Sequence, residues 1–384
     1  MKKRVALLGA TGSIGKSALD VLRAGRDELE PVLFTAHTDA PGLLALSREF
    51  PGVPLVLSGL REGPPGIDRY GREGLLRSIG ECGADIAVNG IAGAAGLEPS
   101  LAVLESGADL ALANKETIVM ASSLVLALAA RKGVRILPVD SEHSAIFSLM
   151  EAHGREQVEG ILLTASGGPF RKYSLRELAA VKAADALVHP TWSMGPKITV
   201  DSASMANKGL ELIEAAGLFG MAPGEIEVVV HPQSIVHSMV WLRDGAVYGQ
   251  LSRPDMRLPV QQALYYPEKR AFPFGRLSFD ALTLEFEKPD DERFPMLPLA
   301  REAARQGGYY PAAYNAANEE GVSAFLAGTI GFLDIPRTVE YVLQRDWMPV
   351  ETPSPAAILE ADSKSRRIAL HYIMDMSERN RCFS

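Results

Sequence analysis

The feature that most constrains the fold is a glycine-rich turn close to the N-terminus. The sequence GATGSIG, which begins at Gly9, follows the apolar run Val5–Leu8 and precedes the amphipathic run Lys16–Leu22. In this setting glycine permits a tight turn and lets a pyrophosphate approach the N–H groups of a helix N-terminus. We predict dinucleotide contacts at Thr11, Gly12, Ser13 and Ile14. The alternative is a strand–helix turn whose glycines serve packing alone.

Short apolar runs alternate with helical patterns through the first third of the chain. The candidate strands are Val5–Leu8, Val32–Phe34, Leu55–Leu57, Ile86–Val88, Leu110–Ala113 and Ile136–Val139. This alternation predicts parallel βαβ units. Such sheets bind ligands beyond the carboxyl ends of their strands, so we expect the functional residues directly after these runs.

The pattern changes after residue 141. The β-rich segments Gly160–Thr164, Lys197–Val200 and Glu227–Leu242 are interleaved with helices, which favours an α+β domain. Helical spacing of apolar residues returns in Pro298–Gln306, Pro311–Ala327, Ile335–Arg345 and Pro355–Ile373.

The predicted fold class is therefore α/β, with three domains and one linker. A Rossmann-like dinucleotide-binding domain covers residues 1–138 and a central α+β catalytic domain covers 139–265, with a flexible lid at 185–197. A linker at 266–290 leads to a C-terminal helical bundle at 291–384.

The charge balance limits the class of partner. The chain has 39 basic and 47 acidic residues and a formal net charge of -8, which argues against a broad nucleic-acid or anionic-membrane surface.

The two cysteines of the chain, Cys82 and Cys382, form no CxxC pair, so we predict neither a disulfide framework nor a thiolate zinc site. The N-terminal apolar run is too short for a signal peptide. We therefore expect a cytoplasmic protein that binds neither nucleic acid nor membrane.

The end of the second strand indicates which dinucleotide is bound. NAD-specific folds usually place an acid there to bind the ribose, whereas here Phe34 is followed by Thr35-Ala36-His37-Thr38 and the first acid is Asp39. This absence favours NADP, with Thr35, His37 and Thr38 available to its extra phosphate.

Three carboxylates form a candidate metal site. Asp140 and Glu142 follow the strand Arg135–Val139, and residues two apart on an extended chain share a face. Asn207 and Glu211 lie at i and i+4 of a predicted helix. Carboxylates without a His/Cys cluster suit a hard cation such as Mg²⁺ or Mn²⁺. The alternative is a helix N-cap with exposed helix acids.

Donor side chains suitable for a phosphate lie near these acids. They are Ser166, His189, Ser202, Asn207 and Lys208, with Ser202 expected near a helix N-terminus. Each could instead be an ordinary turn or cap residue. The stretch from Asp185 to Lys197 has no helix or strand periodicity, so we predict a mobile lid with Trp192 and Met194 as apolar cover. A buried structural tryptophan is the alternative.

Longer motifs occur in one order along the chain. They are GATGSIG at Gly9, GAAGL at Gly93, ALANKE at Ala111, VDSEH at Val139, SGGPF at Ser166, HPTWSMGPK at His189, VDSASMANKGLE at Val200, HPQSIVHSMV at His231, PDM at Pro254, NAANE at Asn315 and IGFLDI at Ile330. In these motifs the chain closely resembles the 1-deoxy-D-xylulose 5-phosphate reductoisomerase family over nearly its whole length.

The resemblance implies an NADP-dependent oxidoreductase of non-mevalonate isoprenoid biosynthesis. It would rearrange and reduce 1-deoxy-D-xylulose 5-phosphate to 2-C-methyl-D-erythritol 4-phosphate, with NADPH and Mg²⁺ or Mn²⁺, Co²⁺ being a further candidate. A homodimer is also implied.

The resemblance also assigns roles to residues. The implied metal ligands are Asp140, Glu142 and Glu211, which together with Lys115 and His189 form the implied catalytic set. The implied substrate contacts are Lys115, Ser141, Glu142, Ser166, His189, Trp192, Ser202, Asn207, Lys208, Glu211 and Met256. The implied cofactor contacts beyond the glycine turn are Ala36, His37, Thr38, Asn114, Glu116 and Gly195.

At two places the sequence departs from the pattern of the reductoisomerase family. Ala36-His37-Thr38 differs from the family's small residue, basic residue and Asn, and Ser252 stands where family members commonly carry glycine.

One rival function is that of another NAD(P) oxidoreductase, such as a homoserine or semialdehyde dehydrogenase, although a semialdehyde enzyme needs a nucleophilic cysteine. The other is a non-catalytic NADP-binding sensor, which has no reason to retain the acids and the lid together.

Overall fold

The protein is described here from a computed structural model, which covers residues 1–188, 191–192, 194–348 and 353–382. Side chains of 379–382 are outside this description. By their internal contacts these residues divide into two compact units. Unit 1 comprises 1–117, 125–147 and 255–277, and unit 2 comprises 118–124, 148–254 and the chain from 278 onward. The three-domain division stays a prediction.

Unit 1 contains a seven-stranded parallel sheet, as the alternating pattern predicts. Its strands are β1 (Lys3–Leu8), β2 (Leu29–Ala36), β3 (Leu55–Leu57), β4 (Arg69–Tyr70), β5 (Ile86–Asn89), β6 (Asp109–Leu112) and β7 (Ile136–Pro138). Their order is β4-β3-β2-β1-β5-β6-β7, and every neighbouring pair is parallel. The strand order changes direction between β1 and β5, and a doubly wound sheet binds its ligand at such a point.

Helices cover this sheet. They are α1 (Ser13–Ala24), α2 (Ala40–Glu49), α3 (Gly71–Glu81) and α4 (Leu97–Glu105), followed by α5 (Lys115–Lys132) and α6 (Ser141–His153), which each continue from unit 1 into unit 2. The apolar faces of the helices and strands form one core, in which Val5, Phe34 and Val88 are at most 1% exposed. Helix α11 (Arg257–Tyr265) returns to this unit late in the chain and adds Val260 and Leu264 to the core.

Unit 2 combines a smaller sheet with helices. Its strands β8 (Val158–Ala165), β9 (Ile226–Val230), β10 (Val236–Leu242) and β11 (Val247–Leu251) lie in the order β11-β10-β8-β9. Strand β8 is parallel to β9, and β10 is antiparallel to β8 and β11. Between β8 and β9 lie α7 (Leu175–Ala179), α8 (Ala183–Ala186), α9 (Pro196–Ala203) and α10 (Ala206–Phe219). The predicted α+β character is confirmed.

The C-terminal part is helical, as its periodicity predicts. Helices α12 (Met296–Gln306), α13 (Tyr310–Leu326), α14 (Asp334–Leu343) and α15 (Pro355–Cys382) pack on one another within unit 2. Tyr314 of α13 is fully buried, and its hydroxyl donates to the Met296 carbonyl of α12 at 3.1 Å. Among the described residues, no helix combines the length and apolarity that a membrane span requires.

One predicted strand is wrong. Lys197–Val200 lies in helix α9, where Gly195 is the N-cap and Pro196 occupies the first turn. The β-branched residues of this stretch mimic a strand, but proline is compatible with a helix start, and packing of α9 against α10 and α13 determines the outcome.

Candidate active site

The predicted glycine turn lies between β1 and α1. Gly9 has φ of 85°, and the N–H groups of Gly9 and Ala10 donate to the Thr35 carbonyl at 3.1 and 2.7 Å. A Cβ on Gly15 would clash with the carbonyl oxygens of Gly9 and Ala10, so only glycine lets α1 approach the strand this closely. Gly12 is the N-cap of α1 and has no side chain to bond the first turn. Those N–H groups are therefore suited to an anionic group.

The end of β2 presents the residues predicted to bind the extra phosphate. Ala36 is buried, whereas His37 and Thr38 are exposed. The His37 ring is held from one side by Ser58, whose Oγ lies 3.3 Å from His37 Nδ1. The assignment of these side chains to a phosphate stays a prediction.

Two neighbours of this segment have structural roles. Asp39 caps α2, since its Oδ1 accepts from the Gly42 N–H at 2.9 Å. This role accounts for an acidic residue at position 39, and no contact with a ribose is needed to explain it. The Thr35 hydroxyl, which the sequence offers to a phosphate, is wrong for that role because it is buried and accepts from Gly9 N–H at 3.1 Å.

Asn114 joins the loop after β5 to the start of α5. Its Oδ1 accepts from Thr117 N–H at 3.0 Å, and its Nδ2 donates to the Ile91 carbonyl at 2.8 Å and to Glu116 Oε2 at 2.8 Å. Asn114 and Glu116 are both buried. These bonds fix the first turn of α5, which begins with Lys115.

Lys115 and Asp140 form a buried ion pair in unit 1. The Lys115 Nζ lies 2.9 Å from Asp140 Oδ2, and the side chains are 6% and 13% exposed. His143 contacts the other carboxylate oxygen, with 3.2 Å between Nδ1 and Asp140 Oδ1. A buried carboxylate requires such partners because its desolvation is costly. His143 was not among the predicted site residues, although its position in the VDSEH motif was an available signal.

Glu142 does not lie on extended chain beside Asp140, so that part of the prediction is wrong. Helix α6 begins at Ser141 and places Glu142 in its first turn. Asp140 precedes the helix, and its Oδ1 accepts from Glu142 N–H at 3.2 Å. Both carboxylates remain close because the chain turns at this point. The Ser141 hydroxyl donates to Glu142 Oε2.

Helix α10 of unit 2 carries Asn207, Lys208 and Glu211, as predicted. Asn207 Nδ2 donates to Glu211 Oε1 at 2.5 Å, and the Lys208 ammonium pairs with Glu211 Oε2. Lys208 and Glu211 are 4% and 1% exposed. The helix thus presents a buried carboxylate and a buried cation one turn apart.

Asp140 and Glu142 belong to unit 1 and Glu211 to unit 2, and their joint role as metal ligands stays a prediction. Asp140, Glu142 and Glu211 each offer an oxygen within 4.8 Å of the others. Mg²⁺ takes oxygen ligands at about 2.1 Å, and carboxylate oxygens are among the ligands that it prefers. The oxygen donors therefore fit a hard divalent cation.

Ser166 and Ser202 lie in adjacent segments of unit 2. Ser166 Oγ accepts from Gly168 N–H at 3.3 Å, and Gly167 and Gly168 have φ of 79° and 68°. Ser202 lies in the last turn of α9, shortly before α10 begins at Ala206. The direction of α9 follows from its start at Pro196.

The described residues of the predicted lid between α8 and α9, which are 187–188, 191–192 and 194–195, lie in neither helix nor strand. His189 lies outside the described residues. Trp192 is half-buried, and its ring centroid is 6.4 Å from that of His237, whose Nε2 lies 2.7 Å from Ser252 Oγ. The departure at position 252 therefore contacts the residue on which Trp192 packs. His237 was missed, and its HSM sequence alone carries no signal for this contact.

The remaining predicted residues occupy the ends of helices. Gly195 is the N-cap of α9, and Met194 precedes it in the irregular segment. Met256 is the N-cap of α11 and packs on the core of unit 1. Their contacts with cofactor or substrate stay predictions.

Cys82 has the properties of a structural cysteine. It is half-buried, and burial raises the pKa of its thiol. A nucleophilic cysteine requires the opposite shift, because the thiolate is the reactive form. This disfavours the semialdehyde dehydrogenase alternative at this residue.

Comparison with known proteins agrees with the motifs. A family model described as 1-deoxy-D-xylulose 5-phosphate reductoisomerase matches residues 5–122, and two models of C-terminal domains of the same enzyme match 136–219 and 251–368. A reductoisomerase of that name from Treponema denticola is 46% identical over 375 residues, which covers 97% of this chain and 98% of the relative.

The chain belongs to the 1-deoxy-D-xylulose 5-phosphate reductoisomerase family. A relative of the same name from Chlorobium chlorochromatii is 49% identical and covers 91% of this chain and 94% of its own. Membership of the reductoisomerase family also accounts for the joint presence of the glycine turn and the three acids.

Solved reductoisomerase structures match the whole fold. The enzyme from Zymomonas mobilis in complex with NADPH has a TM-score of 0.88 at 39% identity and covers 97% of this chain and 99% of its own. A reductoisomerase in complex with NADPH, fosmidomycin and magnesium has a TM-score of 0.91 at 38% identity, with 97% and 98% covered. The predicted α/β class with its Rossmann-like N-terminal domain is confirmed.

Proposed function

We infer that this protein converts 1-deoxy-D-xylulose 5-phosphate to 2-C-methyl-D-erythritol 4-phosphate as an NADPH- and metal-dependent oxidoreductase of isoprenoid biosynthesis. The observation that carries this function is the match to named reductoisomerases over nearly the full length of both chains. The cofactors are NADPH and Mg²⁺, with Mn²⁺ as a common alternative. A homoserine dehydrogenase or an NADP-binding sensor is not favoured, because neither accounts for that match.

The carboxylates of Asp140, Glu142 and Glu211 would hold the metal. This proposal is supported by the spacing of their oxygens and by the oxygen chemistry that Mg²⁺ prefers. When bound, Mg²⁺ supplies Lewis acidity toward the substrate carbonyl and NADPH supplies the hydride. Lys115 would orient Asp140 through their ion pair and contribute a positive charge beside the reacting oxygens.

Ser166, Ser202, Asn207 and Lys208 would bind the substrate phosphate and its neighbouring hydroxyls. Lys208 is the single cation of this group, and hydrogen bonds from a charged donor are the stronger ones. Binding the phosphate away from the reacting carbons would hold the substrate while the lid at 185–197, with His189, Trp192 and Met194, excludes water. Met256 would complete the apolar cover.

The cofactor would lie along the glycine turn. Thr11, Gly12, Ser13 and Ile14 would contact its pyrophosphate, and this is supported by the uncapped first turn of α1. Ala36, His37 and Thr38 would receive the 2′-phosphate at the exposed end of β2. Asn114, Glu116 and Gly195 are proposed as further contacts of the cofactor.

The assay that tests the function follows NADPH oxidation by the purified protein. With 1-deoxy-D-xylulose 5-phosphate and Mg²⁺ we expect turnover, and with EDTA in place of Mg²⁺ we expect none. A homoserine dehydrogenase would oxidise NADPH with aspartate semialdehyde instead. A sensor would bind NADPH and oxidise it with neither substrate.

Substitution of Lys208 tests the phosphate site. Lys208→Ala should raise KM for the substrate by about 10- to 100-fold, since a hydrogen bond to a charged group contributes about 1.5–3 kcal/mol. Steady-state kinetics at saturating NADPH give this value. Because Lys208 also contacts Glu211, the Mg²⁺ concentration must be varied in the same experiment. Lys172→Ala, which removes an exposed lysine of unit 2, is the control for the loss of one positive charge. An unchanged KM in Lys208→Ala would contradict the phosphate role.

We propose that two copies form a homodimer through the edge of the four-stranded sheet. Strand β11 lies at that edge and leaves the apolar side chains Val247, Tyr248 and Leu251 exposed. An open apolar edge strand is a template for pairing with another chain. Sedimentation should give a dimer for the unaltered protein and a monomer for Val247→Lys. A control at Leu370, an exposed residue of α15, should stay dimeric as Leu370→Lys. Dimeric Val247→Lys would exclude this edge.

A cytoplasmic location is also proposed. It is supported by the low cysteine content, which suits a reducing compartment.

A further inference from the structure

We propose that Asp201 and Asn318 are positioning residues for substrate binding, because together they hold helix α9 on helix α13. Helix α9 carries Ser202 near its end and Lys197 in its first turns. The inference rests on the proposed function for the role of Ser202 as a phosphate ligand. It assigns to the C-terminal helices a part in shaping the site.

The anchor is a fully buried carboxylate. Asp201 is 1% exposed, and each of its oxygens has a partner within unit 2. Asn318 Nδ2 donates to Asp201 Oδ1 at 2.8 Å, and the Lys197 Nζ lies 2.8 Å from Asp201 Oδ2. A buried charge is tolerated only with such partners, so the position of Asp201 fixes that of α9 relative to α13.

Asn318 donates a hydrogen bond to Asp201 while its own amide oxygen has no hydrogen-bond partner among the described residues. Its side chain is fully buried. An apolar side chain would pack between these helices without that unsatisfied acceptor. The presence of an amide at position 318 is therefore explained by its hydrogen bond, which orients the Asp201 carboxylate. The nearby Tyr314 responds to the same charge, since burial and Asp201 both raise the pKa of its hydroxyl.

The end of α9 sets the position of two proposed phosphate ligands. A Cβ on Gly168 would lie 2.6 Å from the Ser202 carbonyl oxygen and 3.0 Å from Ala203 Cα, so the turn after Ser166 packs directly on the helix end. Met205, which follows, has φ of 64° and makes the tight turn into α10. A displacement of α9 would therefore move Ser202, the Ser166 turn and the start of α10 together.

The neighbouring Asn315 provides a matched control. It lies one turn earlier on α13, is equally buried, and also has an Oδ1 without a hydrogen-bond partner among the described residues. Its amide donates to Glu319 Oε1 at 3.0 Å and not to α9. Replacing either asparagine by leucine removes the same groups from the same helix, and the two variants differ in the partner that is lost, which is Asp201 for Asn318 and Glu319 for Asn315.

The test measures affinity for inorganic phosphate by calorimetry on the full chain, so it does not depend on turnover. We expect about tenfold weaker phosphate binding in Asn318→Leu and Asp201→Asn, and unchanged binding in Asn315→Leu. Asp201→Asn keeps the size of the side chain and carries the test if the leucine variant does not fold. KM for 1-deoxy-D-xylulose 5-phosphate should rise by a similar factor, while KM for NADPH stays constant.

The outcomes separate the two proposals. Equal phosphate affinity in Asn318→Leu, Asp201→Asn and Asn315→Leu would overturn the positioning role, as would the absence of phosphate binding by the unaltered protein. Weaker phosphate binding in the first two variants, with no turnover of 1-deoxy-D-xylulose 5-phosphate by the unaltered protein, would support the positioning role and contradict the proposed function.

Discussion

Glu211→Gln is expected to lose metal-dependent turnover while NADPH affinity stays within about twofold. The glutamine keeps the size of the side chain and removes the charge that the proposed metal site needs. Lewis-acid catalysis by a metal stabilises the transition state by several kcal/mol. Each 1.36 kcal/mol of activation free energy changes the rate tenfold, so a loss of about 4 kcal/mol lowers kcat/KM roughly a thousandfold. Steady-state kinetics with varied Mg²⁺ and a separate NADPH titration measure both quantities.

The matched control for Glu211→Gln lies on the same helix. Glu214 is also 1% exposed, so Glu214→Gln removes an equally buried carboxylate from α10. Its Mg²⁺ dependence should stay that of the unaltered protein, whatever the change in stability. If Glu211→Gln weakens NADPH binding as much as it lowers turnover, Glu211 has a structural role and the proposed metal site is wrong.

Gly15→Ala is expected to disrupt the glycine turn. The added Cβ meets the carbonyl oxygens of Gly9 and Ala10, which belong to backbone and cannot rotate away. Overpacking of this kind costs about 1–3 kcal/mol or more, and the α1 N-terminus must move from the strand. We expect a lower thermal unfolding midpoint and NADPH binding weakened by at least about tenfold, as measured by denaturation and by NADPH titration.

Gly80→Ala is the control for this substitution. Gly80 lies in α3, and a Cβ there has open space around it. Alanine in a helix interior is more favourable than glycine by about 0.5–1 kcal/mol, so this variant should be as stable as the unaltered protein or slightly more stable. Should Gly15→Ala retain both its stability and its NADPH affinity, the close approach of α1 to the turn would not matter for the cofactor.

The N-terminal sheet and the C-terminal helices were predictable because their patterns are local. Buried parallel strands give apolar runs, and glycine at Gly9 and Gly15 signals a turn that other residues cannot make. The carboxylates were also predictable as candidates, since Asp140 follows a strand and Glu211 lies one turn from Asn207. From their spacing alone, a helix N-cap with exposed helix acids was as good an interpretation of these carboxylates as a metal site.

Other features depend on contacts distant in sequence. The β-branched stretch of α9 resembles a strand, and only its packing on α10 and α13 makes it a helix. The bond between Asp201 and Asn318 joins residues 117 positions apart, so no local pattern indicates it. The same holds for Ser252, whose contact with His237 becomes visible only when β10 and the loop after β11 are placed together.

The most direct test of the central claim identifies the product. Purified protein with NADPH, Mg²⁺ and 1-deoxy-D-xylulose 5-phosphate should yield 2-C-methyl-D-erythritol 4-phosphate, identified by NMR, with one NADPH oxidised for each molecule formed. Recovery of unchanged 1-deoxy-D-xylulose 5-phosphate under these conditions, from a protein that binds both NADPH and Mg²⁺, would contradict the account.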